Sequence, residues 1–305
     1  MRTAFANTLC ELAAANERIW LLTGDLGFSV LEPFQAQFPR RYVNVGVAEQ
    51  NLVGLAAGIA STGRIVFVYS IANFATLRSL EQVRNDVCYN DMCVKVVSVG
   101  GGFAYGPQGY THHGIEDLAV MRALPNMTVI APGDPVETEL ATRALATRPG
   151  PGYLRLGKAR EPIVHASPPR FEIGRAICVQ AGNDVTLIST GGMLAATMAA
   201  AERLAIEHNI GARVLSMPTL KPLDEEAIRT AARETAGIVA VEEHSVIGGL
   251  GSAVADVLAT MPQRAARFRK FGVPDRFEHA IGSQDYLRQR LMGDLVEAVC
   301  TLLGS

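Results

Sequence analysis

Short apolar runs with almost no polar interruption recur along this chain, each followed by a stretch of helical length. That alternation limits the fold more than any other feature. Residues 19–23, 65–69, 94–99, 128–131 and 152–156 read as strands, and residues 3–16, 73–87, 114–124 and 136–147 as helices, with one helical turn at 34–38. A strand that is apolar throughout has both faces covered, so the pattern predicts a mostly parallel sheet flanked by helices. The segment from Lys158 to Arg170 holds three prolines and no periodicity. After it the alternation restarts, with strands at 184–190, 213–216, 237–242 and 268–273 and helices at 195–208, 224–235, 250–259 and 284–303. The expected organisation is α/β in two domains, 1–157 and 173–305, joined by a linker at 158–172.

Composition excludes several classes of function. Of 305 residues 49% are hydrophobic and 19% charged, which suits a globular chain with an ample core. A net charge of -2 gives no footprint for nucleic acid or an anionic membrane. The five cysteines are scattered; Cys88 and Cys93 are neighbours, but no second Cys/His pair completes a zinc site, so reduced thiols are expected. No signal peptide and no apolar run of bilayer length is visible, which makes a cytoplasmic location the expectation.

One junction stands out. A β-rich run, 42–47, passes directly into 52–60, which is apolar on every face and reads as a buried helix. Glu49 lies between them, beside Val47, Ala48, Leu52 and Val53. A carboxylate there is costly to ionise without compensation. It could be a half-solvated carboxylate at a helix N-terminus, or a functional group. Ligands of parallel sheets collect at the C-terminal ends of strands. The turn holding Asp25, the junction at Glu49, the segment Ala72-Asn73-Phe74 and the loop 100–113 all follow strands and could share one rim. Gly248-Gly249-Leu250-Gly251 fits neither a P-loop nor a dinucleotide fingerprint and is read as a structural turn.

Three segments carry a resemblance: VGVAEQNLVGLAAGIASTG (45–63), THHGIEDLAVMRALPNMTVIAPGDPVE (111–137) and VEEHSVIGGLGSAVADVL (241–258). In combination and order they resemble the C-terminal half of transketolase, its pyrimidine-binding and C-terminal domains. The first two also resemble 1-deoxyxylulose-5-phosphate synthase and, more weakly, the beta subunit of two-oxoacid dehydrogenases. The resemblance implies thiamine diphosphate as cofactor. It implies that Glu49 hydrogen-bonds N1′ of the aminopyrimidine and shares a proton with it, favouring the imino tautomer that deprotonates C2 of the thiazolium. It implies that Phe74 packs on the pyrimidine, that Asp25 lies near the cofactor at a subunit interface, and that His112 of Thr111-His112-His113 stabilises or moves a proton at the donor hydroxyls. His113 stands for the family's glutamine and is expected one layer behind. Arg2, Ser29 and Arg155 match positions that hold a sugar phosphate.

Departures from the family pattern bear on the substrate. Two further aromatic positions fall on Leu77 and Leu80, a histidine falls near Gly100 or Gly101, and an aspartate four residues before His112 is Gln108. The glycines would open room for a different donor or acceptor. The Gly-Asp-Gly stretch and later Asn that bind Mg²⁺ in the family are not found in this sequence. The resemblance therefore implies a split enzyme: a partner subunit supplies the diphosphate domain and the Mg²⁺ ligands, with two copies of each chain. The apolar helix 50–61, with Gly54 and Gly58, is the candidate central contact. The expected activity is transfer of a two-carbon ketol unit from a ketose, phosphorylated by this reading, to an aldehyde. The rivals are a decarboxylating relative and a non-catalytic binding or regulatory paralogue.

Overall fold

The computed structural model describes residues 1–262 and 266–304. In chain order its strands are β1 (Ile19–Thr23), β2 (Tyr42–Asn44), β3 (Ile65–Ile71), β4 (Val94–Val99), β5 (Thr128–Ile130), β6 (Gly152–Leu156), β7 (Ile177–Gln180), β8 (Val185–Ser189), β9 (Ala212–Ser216), β10 (Thr219–Lys221), β11 (Gly237–Ser245) and β12 (Arg267–Val273). The α-helices are α1 (Arg2–Ala15), α2 (Glu32–Gln37), α3 (Glu49–Ala60), α4 (Ala72–Thr76), α5 (Leu80–Gln82), α6 (Asp117–Ala123), α7 (Pro135–Thr147), α8 (Leu194–His208), α9 (Glu225–Glu234), α10 (Leu250–Ala259), α11 (Gln284–Met292) and α12 (Leu295–Leu303).

Two sheets organise these elements. The first has seven strands in the order β10-β5-β6-β4-β3-β1-β2, the second five in the order β12-β11-β8-β9-β7. All pairings are parallel except the edge strands β10 on β5 and β7 on β9. β3 shows why the strands are apolar throughout. Val66 and Val68 pack with Leu52, Val53 and Ala56 of α3, while Phe67 and Tyr69 pack on the other face with Phe5 and Leu9 of α1 and Leu145 of α7. Each such side chain, fully buried, contributes about 1.5–3 kcal/mol. The core of the first sheet continues into the second half of the chain, since Met127 and Val129 share a cluster with Leu215, Met217, Leu220 and Ile228.

Several elements differ from the sequence expectation, each for a local reason. The strand expected at 42–47 ends at Asn44, because Gly46 takes a φ of +75° and turns the chain toward α3. α3 is not buried all round: Asn51, Leu55 and Gly58 form an open stripe, and a side chain at Gly58 would meet nothing within 4 Å. The helix expected at 73–87 breaks after α4, turns at 77–79, resumes as α5 and finishes as a π-helical stretch, Val83–Tyr89. α6 starts at Asp117 rather than 114. The last helix is cut in two by Gly293, at a φ of +78°, and Asp294, which caps α12 by accepting from Val296 N. The strands β7 and β10 were not expected.

Residues 157–176 form neither helix nor strand, yet 158–172 is not loose. Asp134 caps α7 through Oδ1, which accepts from Glu137 N at 2.8 Å, and its Oδ2 accepts from Val164 N and His165 N at 2.9 and 3.0 Å. His165 Nε2 lies 2.8 Å from Glu137 Oε1. That hydrogen bond, outweighing the cost of burial, holds the imidazole above its ordinary pKa. Among the described residues no helix is long and apolar enough to cross a membrane.

Candidate functional site

The C-terminal ends of β1, β3 and β4 bring the site together. β1 runs into the turn 24–27, where Asp25 adopts a φ of +56°. Asn44, at the end of β2, staples that turn to the loop before α3: its Oδ1 accepts from Asp25 N at 2.9 Å and Gly46 N at 3.0 Å, and its Nδ2 donates to Asp25 Oδ1 at 3.0 Å. The staple fixes the entry to α3, whose first residue is Glu49. The Glu49 side chain is 1% exposed. Its Oε1 accepts from the Ser70 hydroxyl at 3.3 Å and its Oε2 from Arg78 Nη1 at 2.6 Å. No main-chain amide holds it among the described residues.

From Glu49 the site continues through Arg78. The Arg78 guanidinium carbon lies 4.3 Å from the centre of the Phe74 ring. Phe74 meets the His112 ring edge-on at 5.2 Å, and His112 lies 6.2 Å from Tyr105. The Asn73 amide donates to Thr111 O at 3.2 Å, tying α4 to the turn that carries His112, and Thr111 Oγ1 lies 3.0 Å from His112 Nδ1. Glu49, Phe74 and His112 are therefore one contiguous cluster, although 63 positions separate Glu49 from His112 (112 − 49).

The other expected site residues are more dispersed. Asp25 is exposed and reaches the cluster only through Asn44. The charge of Arg2 acts on the hydroxyls of Tyr69 and Tyr105, whose pKa values burial raises. Gln108, exposed in a 3₁₀ turn, makes no side-chain hydrogen bond among the described residues. Ser29, at a φ of +63°, donates its amide to Glu32 Oε1 at 2.7 Å and makes no hydrogen bond to the cluster among the described residues. Arg155 is 5% exposed and largely committed: Nε donates to Asp117 Oδ2 at 2.8 Å, and Nη2 to Gly114 O and Glu243 O at 2.6 and 3.0 Å.

One expectation about the loops is revised, and His113 lies where it was expected, behind the rim. The room expected beside Gly100 and Gly101 is filled from within the chain. A Cβ on Gly100 would lie 2.1 Å from the Tyr105 ring, and one on Gly101 would lie 2.5 Å from Arg155 Nε. Those glycines admit the chain's own side chains. His113 is fully buried, with Nε2 3.3 Å from Gly106 O and its ring edge-on to Phe103 at 5.1 Å, and burial lowers its pKa. It packs behind the rim.

Sequence reasoning missed Arg78, Ser70 and Lys158, whose ammonium sits 4.5 Å from the centre of the Tyr105 ring. An Arg four residues after Phe74 in a helical pattern was a usable signal for a cation over an aromatic face. Among the described residues no group of three or more His, Cys, Asp or Glu could hold a metal ion. The cluster fits an aminopyrimidine: a buried carboxylate with only exchangeable partners lies beside an aromatic face.

Comparisons with known proteins converge. Residues 1–162 match the transketolase pyrimidine-binding domain, and residues 174–290 match the transketolase C-terminal domain. A putative transketolase C-terminal section of Methanocaldococcus jannaschii is 41% identical over 263 residues, covering 85% of this chain and 82% of that protein. One of the apulose-4-phosphate transketolase subunits, from Phocaeicola vulgatus, is 41% identical over 276 residues, covering 90% of this chain and 87% of that one. The solved structure of a split gene transketolase, an inactive beta4 tetramer, superposes with a TM-score of 0.90 at 40% identity, covering 99% of this chain and 98% of that one.

Proposed function

Because the chain belongs to the transketolase family, we propose that it is the C-terminal subunit of a split, thiamine-diphosphate-dependent enzyme that transfers a two-carbon ketol unit from a ketose to an aldehyde. Thiamine diphosphate, when bound, supplies the carbon nucleophile and the electron sink. Glu49 holds the pyrimidine at N1′ and shares its proton, in a site from which water is excluded. Phe74 offers its ring face to the pyrimidine. His112, in edge contact with Phe74, holds the donor hydroxyls and takes or returns a proton at the donor oxygen. Asp25 borders the cofactor at the subunit contact.

The substrate carries an anionic group in this reading. Arg2 and Lys158 place two cations around Tyr105, next to His112. Ser29, Gln108 and the remaining Nη1 of Arg155 are the further candidate substrate contacts. A phosphorylated ketose suits that charge. A partner subunit with the diphosphate domain supplies the Mg²⁺ ligands, two copies of each chain assemble, and the open stripe Asn51, Leu55, Gly58 on α3 is the candidate contact between copies.

The observation that carries this reading is Glu49, buried yet held, among the described residues, only by a hydroxyl and a half-exposed arginine. The test is calorimetric titration of thiamine diphosphate with Mg²⁺ into the chain alone and into its complex with the diphosphate-binding subunit, followed by a ketose-phosphate screen. Binding only in the complex, with ketol transfer that Glu49→Ala abolishes, is expected. Carbon dioxide release from pyruvate in place of ketol transfer would assign the decarboxylating reaction. A Glu49→Ala complex as active as the wild type would remove Glu49 from the chemistry.

A further inference from the structure

Arg78 makes both of the contacts that the pyrimidine needs. Its Nη1 donates to Glu49 Oε2 at 2.6 Å, and its guanidinium carbon lies over the Phe74 ring, 4.3 Å from the ring centre. A planar, permanently charged group suits both contacts at once, hydrogen bonding in its plane and stacking on its face. Yet the arginine is not built into the wall. Its side chain is 45% exposed, whereas the carboxylate it covers is 1% exposed. Glu49 is its one side-chain hydrogen-bond partner among the described residues. Its backbone lies in the turn between α4 and α5, ahead of a π-helical stretch, and its amide donates to Asn73 O at a long 3.4 Å. Arg155 shows the contrasting case, a buried arginine with three hydrogen bonds.

We infer that Arg78 is a displaceable stopper on Glu49. In the unloaded chain it neutralises the buried carboxylate and covers Phe74, and it must swing into solvent before a pyrimidine can enter. This rests on the reading of Glu49 and Phe74 as the pyrimidine site. Arg78 is thus a positioning residue whose effect on cofactor affinity is opposite in sign to its effect on stability. An arginine that merely supports the wall would lower both when removed. A stopper lowers the stability of the unloaded protein when removed but tightens cofactor binding.

The test compares wild type, Arg78→Ala and Arg78→Met in complex with the diphosphate-binding subunit. Calorimetry with thiamine diphosphate and Mg²⁺ gives affinity, and thermal melts are run with and without cofactor. Both variants are expected to bind about tenfold more tightly, the scale of one half-exposed ion pair plus a cation–π contact. Their unloaded complexes should melt below wild type, and their loaded complexes should melt with it. The methionine variant keeps the apolar stem over Phe74 in case the alanine variant does not fold. Wild-type binding with equal or weaker binding by both variants overturns the stopper and leaves the cofactor reading standing. No binding by any of the three overturns the cofactor reading and the stopper with it. Failure of both variants to assemble makes Arg78 structural and overturns the proposal.

Discussion

Each half of the chain buries a carboxylate where a strand gives way to a helix, and the two are held differently. Glu242, near the end of β11, is 1% exposed. Its Oε2 accepts from Leu250 N and its Oε1 from Gly251 N, both at 2.7 Å, so it closes the first turn of α10 with main-chain donors. Burial pushes its pKa up, against the opposing pull of His244 and those two amides. Gly249 is obligatory there, since a Cβ would lie 2.0 Å from Glu242 Oε2. The glycine-rich turn therefore binds its own chain's carboxylate, leaving those two amides with no room for a phosphate. Glu49 is as deeply buried but, among the described residues, has only side-chain donors, Ser70 and Arg78. Main-chain amides in a helix cannot be withdrawn without unfolding it, whereas a half-exposed arginine can rotate away. Similar burial with different donors separates a structural carboxylate from one that can exchange partners.

That contrast can be broken by substitution. The largest effect is expected at Glu49. Glu49→Gln should lower ketol-transfer turnover by about 10²–10⁴-fold, the range of lost acid–base catalysis, while the melting temperature of the unloaded protein stays at or near the wild-type value. A loss of stability as large as that at Glu242 would erase the distinction. Glu242→Ala should cost about 2–4 kcal/mol in urea denaturation, because two buried amides lose their acceptor. Turnover per folded molecule should be unchanged.

The smallest effect concerns a third carboxylate, Glu137, whose partner can titrate. His165 is held above its ordinary pKa by Glu137. Its contribution to stability is complete below the unfolded value of about 6.5 and is lost as pH rises through the higher folded value. Wild type minus His165→Asn, followed by denaturation from pH 6 to pH 8.5, should show a difference that shrinks with rising pH and is on the order of 1 kcal/mol, the scale of one hydrogen bond.

The parallel sheets were legible because their strands are apolar on both faces, as Val66, Phe67, Val68 and Tyr69 show. β10 was not. It has three residues, Thr219, Leu220 and Lys221, too few for any period, and it pairs with β5 across a long sequence gap. The break after α4 was hidden because Leu77, Leu80 and Val83 keep helical spacing through it. The cut at Gly293-Asp294 was readable, being a helix-ending glycine followed by a capping residue. At the site, Glu49 announced itself by its apolar flanks, whereas Arg78 did not. It lies between Leu77 and Ser79 in an apparently continuous helix, where its spacing of four residues after Phe74 was the signal for a place over that ring. Arg155 could not be understood without Asp117 and the carbonyls of Gly114 and Glu243, which only the fold brings together.

The crossing of β10 into the first sheet also has a consequence in time. On the ribosome β5 and β6 emerge well before β10, and translation from Leu156 to Thr219 takes roughly 3–13 s at ~5–20 residues per second. During that interval β5 is the bare edge of a growing sheet, ready to accept any strand that meets it. Completion of the first domain therefore waits on a piece of the second, and nascent chains translating close together on one message can pair at that edge before the intended strand arrives.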